Sequence, residues 1–173
     1  MIRVYVCSMK IKKNFTVQPV SASGRAEARP PAQKTILVPI DFSESSVKAL
    51  RHAAAMAEKE HACLTLVNVV DEPHSFRTLD AEGEQREEEK RRVERLEQLA
   101  RREVHPNQSV HLEVREGNAP REIVRLAGRQ NADLIVVGLH EWRGIKRWFH
   151  RNVAARILRE ACCPVLMLKD YPG

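Results

Sequence analysis

The chain has 173 residues, 43% apolar and 30% charged, with a formal net charge of +6 and a pI near 9.4. That length holds one domain with a sizeable core. No run of about 18 apolar residues exists, which excludes a transmembrane helix, and the aliphatic content excludes a wholly disordered chain. The charge is uneven: residues 1–33 hold Arg3, Lys10, Lys12, Lys13, Arg25 and Arg29 against Glu27, a net +5, leaving +1 for the rest. The basicity belongs to the N-terminal segment and not to the body.

Residues 1–33 read as a flexible basic tail ahead of a single domain at 34–173, because Ser21 to Gln33 is small, polar and proline-bearing. Arg3, Lys10, Lys12 and Lys13 interrupt any apolar core of an export signal. A reducing cytoplasm is therefore the expected compartment. A transit peptide and a later start at Met9 stay open as alternatives.

The first predicted strand is Thr35 to Ile40, β-branched and apolar on both faces, as a buried parallel strand requires. Asp41-Phe42-Ser43-Glu44 follows, with Ser43 placed to cap a helix and Glu44 suited to its first turn. That helix carries Val47, Leu50, Ala54 and Ala57 on one face. A second strand spans Cys63 to Val70 and ends at Asp71-Glu72-Pro73. The charged stretch from Leu79 to Val104 repeats Val93, Leu96, Ala100 and Val104 at helical spacing. Glu87/Arg91, Glu88/Arg92 and Glu97/Arg101 form acid-first i,i+4 pairs, so its charges read as the solvated face of one long helix.

The third strand, Val110 to Arg115, alternates apolar and polar residues as a strand near a sheet edge does. Gly117-Asn118-Ala119-Pro120 leads into a helix with Ile123, Val124, Leu126 and Ala127. A fourth strand, Asp133 to Gly138, a helix around Val153 to Ala161 and a fifth strand, Pro164 to Lys169, complete the chain. The regular β-α alternation predicts an α/β fold, a five-stranded parallel sheet with helices on both faces. In such Rossmann-like folds ligands bind outside the carboxyl ends of the strands.

These residues also carry a resemblance. Ile36-Leu37-Val38-Pro39-Ile40-Asp41-Phe42-Ser43, Leu66-Val67-Asn68-Val69-Val70, Gly117-Asn118-Ala119-Pro120, Ala132 to His140 and Ala161 to Met167 appear in one order and spacing. Together they make the region Lys34 to Lys169, about four-fifths of the chain, resemble a universal stress protein domain. The resemblance implies the adenine nucleotide alpha hydrolase-like form of the fold and a regulatory binding module of the stress response. It also implies a homodimer through the last strand.

ATP-binding members of that family carry the signature G-x2-G-x9-G-(S/T), whose backbone amides and hydroxyl cradle phosphates. Here the first glycine is Gly138, but the later positions are Glu141, Arg151 and Asn152. The family's adenine and ribose contacts fall on Pro39, Asp41, Val69 and Val137. His140 at the rim and Val153 beside Asn152 complete the candidate nucleotide-binding set. A carboxylate at Glu141 opposes a triphosphate, while Arg143, Lys146, Arg147 and Arg151 supply guanidinium and ammonium groups able to hold one. The expectation is a module that does not bind ATP tightly. The alternative is an adenine-nucleotide binder whose phosphates rest on basic side chains, with ATP the one cofactor in view.

No catalytic or metal site is expected, because the seven histidines show no metal-ligand spacing and Ser43 lacks a nucleophile-elbow context. Trp142 to Arg159 interleaves six bases with Trp142, Trp148 and Phe149. That could touch nucleic acid or an anionic membrane surface, but it lacks a groove-reading motif and reads as a solvated loop entering a helix, so nucleic acid is not an expected partner. Cys162 and Cys163 read as two small buried residues ahead of the last strand.

Overall fold

The computed structural model describes residues 5–9, 33–70, 81–139 and 147–169, with side chains described over 33–70, 87–139 and 153–169. In chain order the elements are β1 (Tyr5–Met9), β2 (Thr35–Pro39), α1 (Glu44–Glu60), β3 (Cys63–Val70) and α2 (Ala81–Glu103). They continue as β4 (Val110–Glu116), α3 (Ala119–Arg129), β5 (Leu134–Leu139), α4 (Arg147–Glu160) and β6 (Val165–Lys169).

The five parallel strands expected from the sequence are present, in the order β4-β3-β2-β5-β6. Each connection between them runs through a helix, which is how a parallel sheet covers both its faces. The sheet also holds one strand more. Tyr5–Met9, drawn from the segment expected to be a tail, pairs antiparallel with β4, Tyr5 opposite Val114 and Met9 opposite Val110. Its aromatic and β-branched start, Tyr5-Val6, suits a strand, and in this place it covers a row of edge hydrogen-bonding groups.

Alternation along the strands sorts the core into two layers. Ile36, Val38, Leu64, Leu66, Leu112 and Val136 face α1 and α2, which add Leu50, Ala53, Leu96 and Ala100. Leu37, Val67 and Ile135 face α3 and α4, which add Ile123, Leu126 and Ile157. Ala49, Ala53, Ala54 and Ala57 line the inner face of α1, and these small side chains let the helix lie close to the sheet. A fully buried leucine such as Leu50 contributes about 1.5–3 kcal/mol.

Helix ends follow local chemistry. Ser43 caps α1, its Oγ accepting from the Ser46 amide at 3.2 Å, and the Asn118 side chain caps α3 with Pro120 in its first turn. Gly117 precedes that cap at φ +126, a conformation that an L side chain rarely adopts.

Three expectations need correction. Helix α4 starts at Arg147, six residues before the expected Val153. Two polar residues of β4 do not face solvent: Glu113 and Arg115 are 2% and 4% exposed, because α3 and Gln130 cover that face. Cys162 is exposed and Cys163 half-buried, so the two cysteines are not a buried pair.

Candidate functional site

The strand order reverses between β2 and β5, so a crevice opens where their carboxyl ends diverge. Three candidate residues converge on one face there. Pro39 follows Leu37 by two residues, Val69 follows Val67, and Val137 follows Ile135, so all three point to the α3–α4 side. Pro39 and Val69 are half-buried and Val137 is buried. Val153 of α4 packs on the same cluster as Val69. Pro39, Val69, Val137 and Val153 therefore give that side of the strand ends an apolar surface.

Asp41 stands at the lip of this surface and is exposed. Its Oδ1 accepts hydrogen bonds from the Ser43 amide, at 2.9 Å, and from the Ser43 hydroxyl. The carboxylate thus holds the turn that starts α1, alongside any ligand role. Between them Phe42 adopts φ 64, a conformation unfavourable for a bulky side chain. The Arg95 guanidinium lies 4.0 Å over its ring, a cation–π contact that helps to hold the turn. Asn68 ties the layer beneath, donating to the Ile40 carbonyl at 2.7 Å and accepting from Arg92 at 3.1 Å.

Gly138 has a structural reason to be glycine. A Cβ there would stand 2.3 Å from the Ser45 carbonyl oxygen and 2.9 Å from the Ser46 amide nitrogen. The first turn of α1 therefore lies directly on the end of β5, and only a residue without a side chain admits it.

The phosphate half differs from the signature in backbone as well as in side chains. Arg151 and Asn152 lie in the second turn of α4. Amides at that depth in a helix bond to carbonyls four residues back and are not offered to a ligand. The side chains of Arg151 and Asn152, and the whole of His140 and Glu141, lie outside the described residues. Among the described residues no group of three or more His, Cys, Asp or Glu is placed to hold a metal ion.

Beside the apolar surface lies a polar network that sequence reasoning missed. Arg115, in register with Val69, donates from Nε and Nη2 to one Glu113 oxygen at 2.9 and 2.7 Å. Gln130 donates to the other Glu113 oxygen at 2.7 Å and accepts from the Thr65 hydroxyl at 2.8 Å. Burial pushes the Glu113 carboxyl above its ordinary value, while Arg115 and Gln130 pull it back down. Arg115 also lies 3.6 Å from Glu122, in the first turn of α3. The i,i+2 spacing of Glu113 and Arg115 was the available signal, since it puts both on one face of β4.

A broad surface depression lined by Arg51, Glu103, His105 and Gln108 lies at the opposite end of the sheet, between the later turns of α1 and the end of α2. Arg51 and Arg102 both hold Glu103 there, at 2.6 and 2.7 Å, and their hydrogen bonds keep its carboxyl below the usual range. The Arg51–Glu103 pair joins α1 to the end of α2, away from the crevice.

Residues 33–169 match the model of the universal stress protein family. A universal stress protein of Methanocaldococcus jannaschii is 33% identical over 143 residues, covering 79% of this chain and 82% of its own. A Staphylococcus aureus relative, described as a putative universal stress protein, is 33% identical over 142 residues, 79% of this chain and 84% of its own. The crystal structure of a universal stress protein family member from Burkholderia pseudomallei superposes with a TM-score of 0.57 at 29% identity. It covers 78% of this chain and 95% of that one. With this match, and with the adenine nucleotide alpha hydrolase-like arrangement of sheet and helices, the chain belongs to the universal stress protein family.

Proposed function

We propose that this chain is a cytoplasmic regulatory module of the stress response, a binding protein and not a catalyst. It takes the nucleoside part of an adenine nucleotide at the crevice and does not hold a triphosphate tightly. The base would lie on Pro39, Val69 and Val137, with Asp41 accepting from the ribose hydroxyls. The observation that carries the reading is the early start of α4, which commits the Arg151 and Asn152 amides to the helix. Glu141 adds a carboxylate where the signature has its second glycine. Among fold relatives, a universal stress protein solved with cAMP is 21% identical with a TM-score of 0.59. An Archaeoglobus fulgidus relative solved with dAMP is 24% identical with a TM-score of 0.52. Those ligands belong to those proteins, and they motivate monophosphates as the first probes.

Calorimetric titration with AMP, cyclic AMP, ADP and ATP plus Mg²⁺ tests the reading. The expected outcome is that AMP binds at least as tightly as ATP, and that Asp41→Ala abolishes binding while Ser43→Ala, which removes the cap and the hydroxyl bond to Asp41 but keeps the carboxylate, preserves it. The variant Glu141→Gly/Arg151→Gly/Asn152→Ser should gain ATP affinity. Micromolar, saturable ATP binding by the unaltered protein would establish the alternative, phosphates held by basic side chains, in place of this reading.

The same module is proposed to be a homodimer through β6. That strand ends the sheet, is apolar from Val165 to Leu168, and exposes Met167 at 37%, with Leu158 of α4 exposed at 51%. An apolar edge of this kind suits strand pairing with a second copy.

A further inference from the structure

Two thiols stand side by side in the turn that joins α4 to β6. Both Cys162 and Cys163 are free; Cys162 is exposed and Cys163 half-buried. Cys163 packs against the core layer beneath α3 and α4, which holds that side chain in place. The Cys162 sulfur lies over the end of α3, 3.8 Å from where a Cβ on Gly128 would stand. Burial first, and then the Cys162 neighbour, push the Cys163 thiol up. One anchored and one exposed cysteine, adjacent in the chain, make a bidentate soft-donor pair.

We propose that Cys162 and Cys163 form a vicinal dithiol site that captures a trivalent arsenical. Paired sulfurs select soft centres. A tetrahedral zinc site needs four ligands, and among the described residues no cluster of three donors exists. A direct disulfide is disfavoured by geometry, because adjacent Cα atoms across a trans peptide are about 3.8 Å apart and ordinary disulfides span at least about 4.4 Å. A bridging arsenic atom enlarges the ring and relieves that constraint. With an aryl arsenous oxide, R–As=O, two S–As bonds form while the As=O bond and two S–H bonds break. One water carries off the oxygen and both protons, and arsenic stays trivalent throughout.

The test titrates the full-length reduced protein with phenylarsine oxide and reads intact mass and remaining thiols. One arsenical per chain is expected, retained against excess glutathione and stripped by 2,3-dimercaptopropanol. Cys162→Ser, at an exposed position that does not bear on folding, should weaken retention on the order of a hundredfold through loss of the second tether. Cys7→Ser and Cys63→Ser should leave it unchanged. Equal retention by Cys162→Ser, no adduct, or loss of two hydrogen masses to an internal disulfide in place of the adduct would each overturn the proposal.

Discussion

Gly138 shows how one residue serves a role that the sequence alone assigns elsewhere. In the family signature it is the first glycine of a phosphate loop, yet its own surroundings already require it, because the Ser45 carbonyl occupies the space a methyl would need. Backbone at the start of a capped helix yields less than a flexible side chain. Gly138→Ala should therefore cost about 3 kcal/mol, the upper part of the overpacking range, seen as a lower urea midpoint at unchanged slope. A neutral result would mean that α1 is not seated on β5 as described. Asp41 likewise has two roles, and its bonds to Ser43 explain it without a ligand. Only the comparison of Asp41→Ala with Ser43→Ala separates them.

At the scale of elements, β4 departs furthest from its sequence pattern. Alternation of Val110, Leu112 and Val114 with His111, Glu113 and Arg115 reads as one face in and one face out. The strand instead packs on both sides, with α2 against the apolar row and α3 over the ion pair. Removing one member of a buried pair strands the other charge, so Glu113→Ala should destabilise the fold by about 3–5 kcal/mol. Glu113→Leu/Arg115→Leu should recover most of that loss, since apolar replacement of a buried pair is often neutral or better. Chemical denaturation of the single and double variants measures both, and a double variant no better than Glu113→Ala would show that the pair's hydrogen bonds outweigh its desolvation. The early start of α4 and the added strand β1 were also outside the sequence reading. The start of α4 is basic, aromatic and polar with little hydrophobic period, and β1 is only five residues long, so contact with the rest of the sheet decides both.

The whole molecule is a parallel sheet with one edge occupied by β1 and the other, β6, carrying the exposed Met167. If β6 pairs with a second copy, Met167→Lys puts a charge at that edge and should shift the protein from dimer to monomer with its fold intact. Analytical ultracentrifugation with circular dichroism reads both, and an unchanged dimer would place the contact elsewhere.

The sequence by itself determined the succession of parallel strands and helices along the chain, the Ser43 cap and the family; their order across the sheet came from the structure. Each of the first three is written in local periodicity or in a contiguous motif, which survives without knowledge of distant contacts. Tertiary structure alone decided which residues share a face at the crevice, why Gly138 must lack a side chain, and that Glu113 and Arg115 are buried. It also decided that Cys162 is open to solvent. These depend on residues far apart in the chain meeting in space, as Ser45 meets Gly138 and Gln130 meets Glu113.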